Sequence, residues 1–410
     1  MKKAVWQHVV ILLVAGCVFF TNLGGPKLWD RDEPRNAGCA AEMLARGDWI
    51  VPTFNDELRT HKPVLLYWLM MIAYRVTGIG EFSARFWSAV AGVGTTVLTY
   101  HIGRRLFNST VGLWAAVVLA SSIMFGVLSR AATPDAVLIF WQTAAIYVFL
   151  CAMSPATATT GSAPDSSQPW RTQQFFPKSH ATAVLMYALM SVAVLAKGPV
   201  GIVLPTAVIG MFLLVMRLPG EENTEPPPGR LRAWLRRIAR LFRCFYPGHF
   251  FRTAWSMRPV TAILVAVCVA APWYMLVGLQ TNWEWNIGFI MDHNVGRATQ
   301  VLEGHRGSAL IYYPVAMTIG FFPWSLFLVP VVLETVRRIR RRDPWRTGCM
   351  FAVCWIGVYV VVFSIARTKL PNYVAPAYPA MALLTAGYLY QLGRSSALSA
   401  TWWPCVAIGF

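Results

Sequence analysis

Charge is scarce in this chain, and negative charge scarcest of all. Of 410 residues only 13% are charged, with 18 Asp and Glu against 36 Lys and Arg. A globular soluble enzyme exposes far more, so that class is set aside. The eight cysteines are scattered, mostly inside apolar runs, and form no CxxC. Neither a disulfide framework nor a thiolate metal site is indicated. No GxxxxGK[ST] occurs, nor a GxGxxG opening a helix, so nucleotide binding has no signal. Nothing repeats at solenoid spacing.

What is present is apolar: 56% of the residues are hydrophobic. Runs of that character fall at about 4–23, 82–102, 110–129, 135–152, 180–196, 198–216, 259–279, 309–333, 347–366 and 373–392, and a last one begins near Thr401 and is cut off by the terminus. A span takes about 20 apolar residues. The expectation is an all-α polytopic membrane protein of about 11 spans. The first run has a basic start and no small-x-small cleavage site before Trp29, so it reads as a retained span. Pro63–Val76 is too short to span comfortably and 34–46 carries Pro34 in its first turn; both read as helices along the membrane interface.

The net charge of +18 sits in short connections beside the runs. Lys2, Lys3, Arg104, Arg105, the arginines of 217–258 and those of 334–347 fall on one side when spans are counted, together with the Ser/Thr/Pro-rich stretch 153–179. The positive-inside rule makes that side cytoplasmic. Arginines interleaved with aromatics at 230–258 read as a membrane-surface stretch, and no nucleic-acid partner is expected. The other, periplasmic side holds 24–81, the 130–134 turn, Lys197-Gly198-Pro199, 280–308 and 367–372. Most of the acids lie there or at its edges, which neither orientation nor solubility requires.

Each piece also has a plain structural reading. In Trp29-Asp30-Arg31-Asp32-Glu33-Pro34-Arg35, carboxylates favour a helix N-terminus; equally, one can act as general base while Arg35 sets its charge state. Asp135 caps a span or serves function as an acid at membrane depth. Lys62 and Lys197 snorkel or hold a phosphate. Asp292-His293 lies behind Trp283, Trp285 and Phe289 as interfacial residues, a metal ligand or a proton carrier. Arg367 to Tyr373 is interfacial charge or a phosphate clamp. Cations for a phosphate and acids to deprotonate a nucleophile, at an apolar interface, suit transfer of a sugar from a polyprenyl phosphate. A lipid or solute transporter is the rival, but its inverted repeats are not found.

The order WDRDEPRNAG, AEMLARGDWIVP, HKPVLLYWL, EFSARFWSA, a PD opening a span, LAKG, FIMDHNVGR, YYP with FFPW, and RTKLPNY resembles bacterial aminoarabinose transferases acting on lipid A, relatives of the protein O-mannosyltransferases, over about residues 22–392. The resemblance implies a GT-C transmembrane helical bundle with periplasmic interfacial helices in the bacterial inner membrane. It implies a polyprenyl (undecaprenyl) phosphate sugar donor and a lipid A, glycan or protein acceptor. Asp32 matches the family's base or essential carboxylate, with Glu33 and Asp135 as further catalytic acids. Arg35, Lys62, Lys197, Arg297 and Lys369 match donor-phosphate or substrate positions. His61 and His293 match positions that can hold a divalent metal (Zn or Mg/Mn). Three positions depart from the family pattern: Asn36 and Ala298 stand where aromatics are common, and His61 where an acid precedes the Lys.

Overall fold

The computed structural model describes residues 2–29, 31–153, 176–217, 243–299, 308, 311–341 and 343–394. The stretch 154–175, the arginines from Arg230 to Arg240, Glu303, His305, Arg306, the run from Thr401 and the side chain of Arg297 lie outside the described residues.

After α1 (Lys2–Phe20), the chain enters a small cap made of α2 (Asp32–Arg46), a hairpin of Thr53–Phe54 with Glu57–Leu58, and α3 (Leu65–Thr77). Pro34 sits in the first turn of α2, and Gly47 ends the helix at φ 67°, its N–H reaching the carbonyls of Leu44 and Met43. That left-handed end suits glycine. In the hairpin, Asn55 and Asp56 supply the two positive φ values of a tight turn.

The bundle proper is α4 (Glu81–Leu106), α5 (Ser109–Ala120), α6 (Ile123–Ser129), α7 (Asp135–Ala152), α8 (His180–Lys197) and α9 (Val200–Met216), followed by α10 (Pro247–Ser256), α11 (Pro259–Val269) and α12 (Ala271–Gln280). Next come α13 (Glu284–Ile287), a π-helical turn (Gly288–Val295), α14 (Gly296–Thr299), α15 (Tyr312–Gly320), α16 (Leu328–Arg341), α17 (Arg346–Ile365) and α18 (Tyr378–Leu392). Helix α4 lies at the centre, against α1, α3, α5 and α7. Its buried Thr95, Thr96 and Thr99 return their hydroxyls to carbonyls one turn back, which satisfies them inside apolar packing. Gly103 and Gly112 bring α4 and α5 together: a Cβ on Gly112 would stand 2.5 Å from the Tyr100 carbonyl.

Among the described residues three helices, α7, α8 and α17, are long and apolar enough to cross a membrane, or up to six spans if each bent pair counts as one. Three of the runs expected as single spans are broken. The 110–129 run bends by 70° between α5 and α6, the 259–279 run by 46° between α11 and α12, and the 309–333 run by 119° between α15 and the helical stretch from Trp324. At the first break Ser121 and Ser122 turn their hydroxyls onto carbonyls of α5. Pro272 and Pro323 stand at the other two, where a missing N–H and a bulky ring disfavour continuation.

Candidate active site

Side-chain contacts sort the helix ends into two groups. One group joins Gln7 to Ser109 and Tyr100, Arg105 to the carbonyls of Leu150, Cys151 and Met153, Arg258 to Lys178, and Arg338 to Gln391. The other joins the end of α1 to the starts of α2, α4 and α7, the end of α8 and the approach to α18. Glu33, Asp135, Lys197 and Lys369 belong to this second end.

The anchor of that end is Glu33. Its side chain is 2% exposed, and Arg85 at the start of α4 donates to both oxygens at 2.9 and 2.8 Å. The N–H groups of Ala132 and Trp29 complete it at 2.6 and 3.0 Å. Burial alone would raise this carboxyl's pKa, but the Arg85 bonds and the two amides outweigh it and hold it below the ordinary value. Arg85 also donates to the carbonyls of Leu23, Pro26 and Lys27, so one guanidinium fixes the whole turn from α1 into α2. One turn on, Asn36 donates to the Ala132 carbonyl at 3.0 Å. Helix α2 is thus stitched twice to a residue just before Asp135.

Asp135, at the start of α7, meets Lys197, the last residue of α8, with Nζ to Oδ1 at 2.5 Å. Asn372 donates to the same oxygen at 3.2 Å, and Lys62, 7% exposed, adds its charge to this carboxylate. The Lys197 ammonium also lies 5.4 Å from the centre of the Tyr373 ring. Asp135 and Lys197, 62 residues apart in sequence, are therefore paired, and the charge of Lys62 acts on the same carboxylate.

Asp32 heads α2, half-buried, with no hydrogen bond or ion pair among the described residues. Arg35 stands three residues on, on the same face and also half-buried. Lys369 is placed differently from a phosphate ligand. Its three donors go to the carbonyls of Phe363, Ser364 and Ala366 at 2.9, 2.6 and 2.5 Å, closing the end of α17. His61 and His293 do converge, with ring centroids 4.1 Å apart. A zinc ion takes about three or four protein ligands, and among the described residues no three of His, Cys, Asp and Glu gather. The pair alone does not build a metal centre.

Sequence reading passed over Arg59 and Arg85 as site residues, and named Asn36 only as a departure from the family pattern and Asn372 only within the 367–373 stretch. Arg59 is 5% exposed and donates to the Tyr67 hydroxyl at 3.1 Å and to the Asn36 side-chain oxygen at 2.9 Å, while its own carbonyl accepts from Trp285. The signal available was an arginine two residues before His61-Lys62 and another in EFSAR, neither distinguishable from loop charge without the partners.

Comparison with known proteins follows the same lines. The dolichyl-phosphate-mannose-protein mannosyltransferase family profile matches residues 61–159. The undecaprenyl phosphate-alpha-4-amino-4-deoxy-L-arabinose arabinosyl transferase of Edwardsiella ictaluri is 28% identical over 96% of this chain and 61% of its own length. The crystal structure of ArnT from Cupriavidus metallidurans bound to undecaprenyl phosphate matches with a TM-score of 0.68 and 25% identity, over 93% of this chain and 60% of that one. The Archaeoglobus fulgidus oligosaccharyltransferase in complex with Zn and sulfate shares the fold, with a TM-score of 0.54 at 17% identity, over 98% of this chain and 51% of that one. This chain spans about three fifths of the length of its arabinosyl transferase relatives. The fold is that of the GT-C membrane glycosyltransferases, and the chain is similar in sequence to the aminoarabinose transferases.

Proposed function

We propose that this multi-pass inner-membrane protein is a glycosyltransferase that moves a sugar from a polyprenyl phosphate, undecaprenyl phosphate in a bacterium, onto lipid A or another envelope glycolipid. One observation carries the reading: Lys197 pairs with Asp135, on which the Lys62 charge also acts, at the bundle end where Asp32 heads α2. In this reading Lys62, Lys197 and Arg35 hold the lipid phosphate, and Arg297 keeps the phosphate role that the sequence resemblance implies. Asp32 accepts the proton of an acceptor hydroxyl, whose oxygen attacks the anomeric carbon. As that C–O bond forms, the bond to the phosphate oxygen breaks with inversion, and the lysines meet the charge that gathers on the leaving phosphate.

Asp135 acts through Lys197 and Lys62, and Glu33 through the fixed start of α2; both are positioning residues in this scheme rather than bases. Lys369 is left out of the phosphate set, since its donors are spent on carbonyls. The richness of the opposite end in Arg104, Arg105, Arg337, Arg340 and Arg341 supports a cytoplasmic location for that end and a periplasmic one for the site. Nucleotide sugars are absent from the periplasm, which is why a lipid-linked donor suits it.

The mannosyltransferase profile over residues 61–159 favours a second acceptor, a protein hydroxyl, with the same donor chemistry. The test is transfer of radiolabelled sugar from undecaprenyl phosphate in membranes bearing the wild type or Asp32→Asn. Label should enter the glycolipid fraction and vanish with Asp32→Asn. Full activity of the variant would remove Asp32 as base, and label confined to protein would move the acceptor to the second reading.

A further inference from the structure

Helix α10 turns polar residues to the bundle and aromatic ones away from it. His249 donates to the Leu214 carbonyl at 3.0 Å, Thr253 is buried, and Ser256 accepts from Arg217, the residue after α9. Phe250, Phe251 and Trp255 are exposed on the other side. That arrangement is costly in water, whereas at a bilayer surface aromatic rings sit at headgroup depth. Helix α10 therefore belongs to the interface at the arginine-rich end of the bundle.

Arg258 links α10 to α11, with φ 56° and ψ 62° between Met257 and Pro259. A left-handed conformation suits glycine or asparagine, so the backbone gives no reason for an arginine there. The side chain is underbonded. Nη2 donates to the Lys178 carbonyl at 2.8 Å in an exposed bond, while Nη1 is shut off from water with no hydrogen-bond partner. Helices α8 to α12 carry no Asp or Glu at all, and Lys178, Arg217, Arg252 and Arg258 gather at this end of them. The neighbours supply no acid either. Helix α7, packed on α8, has its one carboxylate, Asp135, at the far end, and α17, packed on α9, begins with Arg346. Lys178 also stands just before Ser179, whose side chain makes no cap, so the first N–H groups of α8 have no side-chain acceptor.

We propose that Arg258, Lys178 and the open start of α8 bind the phosphate of an anionic phospholipid. A phosphate arriving at the exposed Nη2 edge supplies the charge partner that the guanidinium lacks. The apolar faces beside the cations favour an anion that carries chains. Val260, Ile263, Leu264 and Val267 form one exposed stripe down α11, and Val184 and Leu185 are exposed on α8, which packs against it. The first stripe begins two residues after Arg258, and Val184 lies six residues after Lys178. An acyl chain along either helix gains from these faces, and a free phosphate does not. A zwitterionic headgroup brings its own ammonium to a site of cations, so phosphatidylglycerol is preferred to phosphatidylcholine. The site lies at the opposite end from Asp32 and Asp135 and does not depend on the transferase reading.

The experiment is native mass spectrometry of the full chain in detergent with added dioleoyl phosphatidylglycerol or phosphatidylcholine, with thermal melts of the same samples. The wild type should bind the first phosphatidylglycerol about thirtyfold more tightly than phosphatidylcholine, from two cations of about fivefold each. Arg258→Gln should lose about fivefold of that preference. Lys178→Glu should abolish it without lowering the melting temperature, because the new carboxylate pairs with the guanidinium and repels the phosphate. Arg340→Gln/Arg341→Gln, which removes two exposed cations of α16 outside the site, should keep the preference. Equal binding of the two lipids by the wild type overturns the proposal, as does a preference that survives Lys178→Glu or vanishes with the α16 variant. Inorganic phosphate that raises the melting temperature as far as phosphatidylglycerol does overturns it too, since the site would then take a free anion. If Arg258→Gln shows no thermal transition, Lys178→Glu decides alone, its side chain being exposed.

Discussion

At the scale of single residues, the proposed mechanism has some groups touch substrate and others hold those groups in place. Asp32 has no protein partner among the described residues, so replacing it removes a proton acceptor and little packing. Asp32→Asn should lower kcat by about a thousandfold, within the range for a general base, with melting temperature and undecaprenyl phosphate binding unchanged. Asp135 and Lys197 behave otherwise, since their side chains are only 7% and 13% exposed and the pair is close at 2.5 Å. Lys197→Met strands a carboxylate and should cost about 3–5 kcal/mol. The double variant Asp135→Asn/Lys197→Met should recover most of that in a thermal melt yet stay inactive. A double variant as unstable as Lys197→Met would show that the loss is packing, not stranded charge. Lys62, Asp135 and Lys197 were legible in the sequence because a charge at the edge of an apolar run is expensive and stands out. The role of Lys369 was not, because its partners are backbone carbonyls, which no side-chain pattern encodes. Lys369→Met should therefore lower stability while leaving lipid phosphate affinity within about twofold, the mark of a capping role rather than a ligand.

At the scale of elements, the question is what keeps α2 aimed. Glu33 and Arg85 join α2 to α4 and to the turn after α1 through a pair whose side chains are 2% and 4% exposed. Glu33→Gln leaves the guanidinium without its counter-charge and should cost about 3–5 kcal/mol. It should also lower kcat more than it raises KM, because Asp32 loses its alignment while the phosphate cations stay in place. Linkage gives a second reading of the same pair. The folded carboxyl titrates below its ordinary value of 4.5. Its contribution is full above that unfolded value and is lost as pH falls through the lower folded one. Thermal stability of the wild type should thus fall below about pH 4.5, and Glu33→Gln should fall less steeply over that window. An identical slope in both proteins would dissociate the pair from acid sensitivity. The sequence showed α2 through Pro34 and Gly47, but the breaks inside the 110–129, 259–279 and 309–333 runs lay beyond it. Apolar periodicity is blind to direction, and a proline or serine pair marks where a bend is allowed, not that neighbouring helices will take it up.

At the scale of the whole molecule, the candidate acids and cations lie at one end and Arg104, Arg105, Arg337, Arg340 and Arg341 at the other. Two chains of contact show the two ends. Leu23, Arg85, Glu33 and Ala132 are linked in series at the first. Tyr100, Gln7 and Ser109 are linked at the second. Which end faces the periplasm rests on the lysine and arginine bias, a rule of insertion rather than of folding. Hairpin residue Asp56 and helix residue Arg337 are both exposed and sit beside the site and on the basic end respectively, so each reports on one face. Cysteines placed there, in a background with the native cysteines replaced, should react differently with a membrane-impermeant maleimide. Asp56→Cys should label in intact spheroplasts, and Arg337→Cys only after the membrane is opened. The reverse pattern would put the site on the cytoplasmic side, where nucleotide sugars are at hand, and the argument for a polyprenyl-phosphate donor would lose its physical reason. Equal labelling of both before opening would mean leaky cells, which a cytoplasmic marker enzyme detects independently.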